Sequence, residues 1–160
     1  MTDIVDPLTR SRMMAGIKGR NTKPELLIRS LLHRMGFRFR LHVKDLPGKP
    51  DIVLPKYRAI IFVNGCFWHG HNSCHLFKLP KTRPEFWENK ILKNQANDIK
   101  AIAALQSTNW RICIIWECSI KGAKTDPQSV IINVANWLKS SESFLEISVD
   151  NKHNLVVTSQ

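Results

Sequence analysis

The sequence predicts a mixed α/β fold, in which helices flank a sheet on both sides. Two continuous apolar runs, at positions 59–63 and 111–116, are typical of strands that are buried on both faces. Two longer segments, at 22–35 and 84–105, carry apolar residues in a pattern that suits helices packed on such a sheet. These observations together favour one sheet between helical layers.

In the N-terminal half, a basic segment at 8–18 could form a short helix. A second helix has clearer boundaries: Thr22 can cap it, Pro24 suits its first turn, Glu25 completes a capping box, and Gly36 ends it. The elements that follow are an alternating strand at 37–43, a turn at 46–50, a short strand at 51–54 and the buried strand at 59–63.

The C-terminal half begins with a loop at 65–83 that is rich in Gly, His, Cys and Pro. A long helix is predicted from Pro84 to about Leu105, followed by the second buried strand. A shorter helix around 128–138 and a β-rich tail at 144–157 complete the chain.

The charge balance favours a polyanionic partner. Lys and Arg outnumber Asp and Glu by 24 to 13, which gives a net charge of +11 and favours salt-dependent binding to phosphates; the alternative is a merely soluble basic protein.

No run approaches the roughly 20 apolar residues of a membrane span, and the start of the chain lacks an apolar signal core, so we expect a cytoplasmic protein. The length of 160 residues suits one domain, with an N-terminal segment at 1–20 and a tail at 139–160.

Three of the four cysteines and a histidine predict a metal site. Cys66, His71 and Cys74 lie in the loop, and Cys118 follows a strand expected beside the one that precedes the loop. These residues would form a tetrahedral Cys₃His site, which suits structural Zn²⁺. His75 could replace His71 as the fourth ligand, and free thiols with surface histidines are the alternative. The fourth cysteine, Cys113, lies in an apolar run and is expected to be buried.

A second candidate site is Asp51, which follows Pro50 one turn before a buried strand. A carboxylate at the start of a strand can bind Mg²⁺ together with a backbone carbonyl of the neighbouring strand. Many restriction-type nucleases have such a Pro-Asp pair followed by an acidic-x-Lys motif, which the corresponding strand at 61–64 lacks. A Pro-Asp pair alone is more often an ordinary turn.

Aromatic residues form the third candidate feature. Phe67 and Trp68 lie in the metal-braced loop, and Trp87 opens the following helix near several basic residues. Exposed rings among basic residues can stack on bases or wedge between base pairs. The alternative for each ring is packing in the core.

With these motifs, the sequence closely resembles the very-short-patch repair (Vsr) endonucleases, which nick DNA beside thymine–guanine mismatches. The likeness covers roughly residues 8–140, and Gly65-Cys66-Phe67-Trp68-His69 with Trp116-Glu117-Cys118 are its most specific motifs. Other matching segments are Thr9-Arg10-Ser11, Asn21-Thr22-Lys23-Pro24-Glu25, Leu46-Pro47-Gly48-Lys49-Pro50-Asp51 and Pro80-Lys81-Thr82-Arg83-Pro84-Glu85-Phe86-Trp87.

The resemblance implies a restriction-endonuclease-like fold with a structural zinc loop and catalytic Mg²⁺. It makes Asp51 the carboxylate that binds Mg²⁺, with the Val63 backbone carbonyl as a further ligand. Glu25 would hold water bound to the metal, a role that competes with its capping box. His69 would activate the attacking water, because imidazole exchanges protons near neutral pH.

The resemblance also implies how DNA is recognised. Phe67, Trp68 and Trp87 would form a wedge that intercalates beside the mismatch. Further side chains would meet the mismatched or neighbouring bases: Met14, Ile17, Lys90 and Asn94. The implied substrate is double-stranded DNA with a T:G mismatch, nicked on the thymine strand in the bacterial nucleoid. Mismatch-repair proteins and a cytosine methyltransferase are the implied partners, and a monomer is expected.

Two departures from the family pattern affect the expected chemistry. Asn64 stands where the family usually has a second histidine; it can hold a water or a phosphate oxygen but cannot exchange a proton near neutral pH. The segment from His71 to Cys74 is one residue longer than is common. Three other functions remain open: a restriction-type or structure-specific endonuclease of the same fold, a zinc-stabilised DNA-binding module without catalysis, and a basic protein with an incidental metal site.

Overall fold

The computed structural model describes Leu8 and residues 21–160. Met14, Ile17 and nearly all of the expected helix at 8–18 therefore lie outside the described residues, as does the N-terminal segment 1–20 apart from Leu8.

One five-stranded sheet forms the centre of the structure, with its strands in chain order across the sheet. The outer pairs β1–β2 and β4–β5 are antiparallel, and β3 runs parallel to both β2 and β4. The strands are β1 (Ile52–Leu54), β2 (Ala59–Asn64), β3 (Arg111–Trp116), β4 (Phe144–Val149) and β5 (Leu155–Ser159). Residues 139–160 thus supply two strands of the same sheet.

Three α-helices accompany the sheet within residues 21–160: α1 (Lys23–Arg34), α2 (Pro84–Ser107) and α3 (Pro127–Leu138). Thr22 caps α1 as predicted, since its hydroxyl accepts from the Glu25 amide at 3.4 Å. Asp126 caps α3 by accepting from the first-turn amides of that helix. Among the described residues, no helix is both long enough and apolar enough to cross a membrane.

Alternation along the strands divides the core between the two faces of the sheet. Ile61 points to one face, where it joins buried residues of α1 and α3. Its neighbour Ile60 points to the opposite face, where it meets Leu105 of α2 together with Cys66 and Cys118. The mixed α/β sheet flanked by helices is therefore confirmed, and the cysteine-rich loop belongs to the α2 face.

The expected strand at 37–43 is wrong. Only Arg40 pairs with the sheet, through an isolated antiparallel bridge to Val53. His42 has a φ of 55°, in the left-handed region, which interrupts the extended conformation that a continuous strand requires. The alternation of side chains therefore reflects a single pairing contact followed by a turn.

Candidate active site and metal site

A cleft of about 740 Å³ opens where the N-terminal turn of α1, the C-terminal end of β2 and the cysteine-rich loop meet. Asp51, Glu25, Asn64 and His69, all predicted from the sequence, line this one cleft. These residues are up to 44 positions apart in the chain, so the fold brings together the groups expected to carry the chemistry.

Asp51 is held at the end of β2 by a hydrogen bond from the Val63 amide to its carboxylate, with N and O 2.7 Å apart. Burial raises the pKa of Asp51 to about 7, and the nearby Glu25 carboxylate also raises it, although the Val63 hydrogen bond acts in the opposite direction. Removal of water disfavours the charged carboxylate. A cation beside Asp51 would favour the charged form, so this environment fits a metal-binding carboxylate.

Glu25 is almost fully buried and forms three hydrogen bonds through its carboxylate. Oε2 accepts from the Asn21 amide at 2.9 Å and from the Arg29 guanidinium at 3.0 Å, and Oε1 accepts from the Thr22 hydroxyl at 3.2 Å. The capping interactions and the position in the cleft therefore coexist. Each carboxylate oxygen has two lone pairs, so Glu25 can still accept from a further group in the cleft.

His69 is oriented by Asp98, a residue of α2 that the sequence interpretation missed. Nδ1 of the imidazole and Oδ2 of Asp98 are 2.5 Å apart. A neutral imidazole that donates from Nδ1 leaves Nε2 free to accept a proton. Asp98 also lines the cleft; because it lies 29 positions from His69, no local motif indicated the pairing.

Asn64 is buried at the C-terminal end of β2, where it pairs in register with Trp116 of β3. It lines the same cleft as Asp51 and His69. Its amide can donate and accept hydrogen bonds but cannot transfer a proton near neutral pH. Among the described residues that line this cleft, His69 is the one histidine.

Cys66, His71, Cys74 and Cys118 form a compact cluster on the α2 face of the sheet. Their ligand atoms all lie within 4.8 Å of one another, and three thiols with one imidazole are a donor set that suits tetrahedral Zn²⁺. The His75 ring instead contacts His153, with ring centroids 4.8 Å apart. The geometry therefore favours His71 as the fourth ligand.

Two contacts support the cluster. The His71 ring stacks on Trp116, with centroids 4.0 Å apart and an interplanar angle of 7°. Hydrogen bonds from the Cys66 thiol and from His71 lower the pKa of Cys118, although burial opposes the change. Thiolates are the form of cysteine that binds metals. Cys113, in contrast, is fully buried within β3, and burial raises its pKa.

The three predicted wedge rings pack against one another, and two of them, Phe67 and Trp68, line the cleft. Phe67 and Trp68 have centroids 5.2 Å apart, and Trp87 lies 5.7 Å from Phe67 and 5.8 Å from Trp68. All three side chains are only half-buried. This ring cluster therefore presents an apolar surface beside the reactive groups.

Helix α2 holds the loop that carries His69 through two side-chain amides. Asn94 donates to the Trp68 carbonyl at 2.9 Å, and Gln95 donates to the carbonyls of His69 and Gly70 at 3.3 and 3.0 Å. Asn94, predicted to meet DNA bases, thus also supports the ring cluster, whereas Lys90 is exposed on the same helix.

Comparisons with known proteins find relatives among DNA endonucleases. Residues 2–76 match the family model described as DNA mismatch endonuclease Vsr. The DNA mismatch endonuclease Vsr of Escherichia coli is 40% identical over 156 residues, which span 97% of this chain and 99% of that protein. The type II nicking enzyme V.XorIIP of Xanthomonas oryzae is 49% identical over 75% of this chain and 88% of its own length. The type II nicking enzyme V.NmeAIP of Neisseria meningitidis is 45% identical over 76% and 86%, respectively.

The near full-length similarity to one relative and the high identity to two others extend well beyond the short motifs. The family model covers Glu25, Asp51, Asn64 and His69 of the cleft and Cys66, His71 and Cys74 of the cluster. The chain therefore belongs to the DNA mismatch endonuclease Vsr family and is a DNA endonuclease.

Proposed function

We propose that this endonuclease nicks the thymine-containing strand of double-stranded DNA next to a T:G mismatch, by Mg²⁺-dependent hydrolysis of a phosphodiester bond. The observation that best supports the proposal is the single cleft that contains Asp51, Glu25 and His69 and opens beside the ring cluster. A relative that aligns along nearly the whole chain carries the name DNA mismatch endonuclease. Such a nick would begin very-short-patch repair.

Mg²⁺ would be held by the Asp51 carboxylate and the Val63 backbone carbonyl. Oxygen donors are those that Mg²⁺ prefers, and the raised pKa of Asp51, caused first by burial, indicates a carboxylate whose charged form a cation would stabilise. When bound, the ion supplies positive charge that stabilises the negative charge developing on the phosphate.

His69 would take the proton from the attacking water through Nε2, while Asp98 fixes the ring through Nδ1. Asp98 also stabilises the imidazolium that forms after proton transfer. Asn64 would orient the water or a phosphate oxygen, and Glu25 would accept from a water in the cleft. In this assignment His69 is the proton acceptor and the amide of Asn64 serves only to position groups.

The ring cluster would act as the wedge at the mismatch. Mispaired steps cost less to unstack than paired ones, so Phe67, Trp68 and Trp87 would insert most readily there. Lys90 and Asn94 lie on the same helix as Trp87 and would contact the neighbouring bases. Met14 and Ile17, which lie outside the described residues, would complete base recognition from the segment 1–20.

Zn²⁺ would occupy the cluster of Cys66, His71, Cys74 and Cys118 in a structural role. A closed site with four protein ligands leaves no position for substrate. It would fix the loop that carries Phe67, Trp68 and His69 at the end of β2. We propose that the enzyme is a single domain that acts as a monomer on DNA, with mismatch-repair proteins and a cytosine methyltransferase as candidate partners.

The proposal is tested by nicking assays on labelled duplexes that are fully matched or carry one T:G mismatch in several sequence contexts, with Mg²⁺ or EDTA. We expect a Mg²⁺-dependent nick restricted to the thymine strand of mismatched duplexes. Asp51→Ala and His69→Ala should each abolish it, whereas Asp45→Ala, which removes an exposed carboxylate, should not. Equally fast cleavage of matched or branched duplexes would instead indicate a restriction-type or structure-specific enzyme.

A further inference from the structure

A second cavity of about 610 Å³ lies beside the cleft. Both cavities are lined by Glu25, Lys49 and Asp51, so these residues form the boundary between them. The second cavity, here called the basic pocket, is also lined by Arg29, His42 and Lys44.

The uncompensated charge of the basic pocket is positive. Glu25 pairs with Arg29, so the two lysines Lys44 and Lys49 outnumber the one remaining carboxylate, Asp51. Among residues 21–160, no carboxylate lies within ion-pair distance of Lys44 or Lys49. Arg29 is itself buried, and its Nε has no hydrogen-bond partner among the described residues. The basic pocket therefore suits an anion.

The chemistry of the lining also selects the kind of anion. The rings of Phe67, Trp68 and Trp87 do not line this pocket, and among the residues that do, His42 carries the one ring that could stack on a base. Lysines act as point charges toward phosphate. A phosphodiester group therefore fits the lining better than a base does.

We propose that the basic pocket binds a phosphodiester of the strand being cut, next to the phosphate that is hydrolysed at Asp51. This inference rests on the proposed function, because hydrolysis at Asp51 places the reacting phosphate at the wall that the two cavities share. The same strand then continues past that wall into the pocket. Lys49 lies between the two phosphates, and Lys44 binds only the neighbouring one.

The test replaces single phosphates around the nick with uncharged methylphosphonates and measures binding in EDTA for the parent, Lys44→Ala, Lys44→Arg and Lys139→Ala. Lys139 is exposed at the C-terminus of α3 and serves as the matched control. In the parent and in Lys139→Ala, one flanking methylphosphonate should raise Kd roughly tenfold, since a charge-assisted contact is lost. Lys44→Ala should raise Kd for unmodified DNA by a similar factor and lower the salt slope by about 1.

The decisive result is the coupling between the two changes. In Lys44→Ala, the sensitive methylphosphonate should alter Kd less than twofold while other positions keep their effects, and Lys44→Arg should restore sensitivity. Independent, multiplying losses at every flanking position would overturn the proposal. Binding is measured on matched as well as T:G duplexes, so coupling without mismatch-directed nicking would retain the basic pocket and reject the proposed function.

Discussion

The reactive side chains of the cleft are oriented by specific neighbours. His69 depends on Asp98, Asp51 on the Val63 amide, and Glu25 on Arg29. Glu25 and Arg29 are four residues apart on one helix, whereas Val63 lies 12 positions from Asp51 and Asp98 lies 29 positions from His69. The sequence therefore predicts which side chains are reactive, whereas the partner that orients such a side chain depends on the fold.

We predict that Asp98→Asn lowers the single-turnover nicking rate roughly 100-fold, the range expected when proton transfer by a positioned base is impaired. The amide retains the size of the carboxylate but not the charge that stabilises the His69 imidazolium. Binding to mismatched DNA in EDTA should be unchanged. Asp150→Asn, which alters an exposed turn, is the control, and equal nicking rates for the two variants would contradict the role of Asp98.

The buried carboxylate of Asp51 predicts a dependence of stability on pH in the Mg²⁺-free protein. Burial raises the pKa of Asp51 to about 7, above the ordinary value near 3.9. The folded state therefore binds this proton more tightly than the unfolded chain, and stability falls as pH rises from about 4 to about 7 and changes no further above that pH.

Asp51→Asn removes this cost, so it should raise the free energy of unfolding at pH 8 by roughly 2 kcal/mol, a value reduced from the full shift because the side chain stays partly exposed. At pH 5 the gain should be much smaller. Urea unfolding in buffer without Mg²⁺ or a chelator measures both values, with Asp45→Asn as the control. A gain that is the same at both pH values would show that burial of charge is not its cause.

At the scale of elements, the sequence predicted β2, β3, α1 and α2 because each has a local signal, either a continuous apolar run or a cap. The segment 37–43 has an alternating pattern but forms only the Arg40–Val53 bridge, because His42 adopts a positive φ. Alternation alone does not reveal such a residue. Contacts between elements, such as those of α2 with the loop, could not be predicted from a local sequence pattern either.

The packing of α2 against the loop leaves no room for a side chain at Gly70 unless its neighbours shift. A Cβ at this position would overlap Gln95 Nε2 and lie 2.6 Å from Ile91 Cγ2, and the backbone has a φ of +60°. We predict that Gly70→Ala destabilises the protein by roughly 1–3 kcal/mol through overpacking, in addition to backbone strain. It should also slow nicking, because the displaced loop carries His69.

Gly36→Ala is the matched control, since Gly36 also has a positive φ but a Cβ added there would meet no atom within 4 Å. The φ of +92° at Gly36 lies further from the left-handed region than the +60° at Gly70, so an excess loss in Gly70→Ala, measured by thermal unfolding, reports the clash. Adding Gln95→Ala should recover part of that excess. If both glycine variants lose the same stability, the fit of α2 to the loop is not what requires Gly70.

At the scale of the whole molecule, the two sites share one support. The loop from Cys66 to Cys74 carries three cluster ligands, two rings and His69, and the remaining ligand Cys118 follows β3. The sequence predicted the donor types of this cluster, and it also predicted that neighbouring strands bring the loop and Cys118 together. The choice between His71 and His75 could not, because it depends on stacking against Trp116.

We therefore expect loss of the metal to affect folding and catalysis together. Cys74→Ala should purify without its metal and lose most of the loop's stability, since binding at structural zinc sites contributes on the order of 10 kcal/mol to folding. Its nicking rate should fall at least 100-fold at any Mg²⁺ concentration. Cys113→Ala, which removes a buried thiol outside the cluster, and His75→Ala should each retain one zinc per chain and near-parental nicking. Metal analysis and thermal unfolding measure these outcomes, and a full zinc equivalent in Cys74→Ala or loss of zinc in His75→Ala would require a different ligand set.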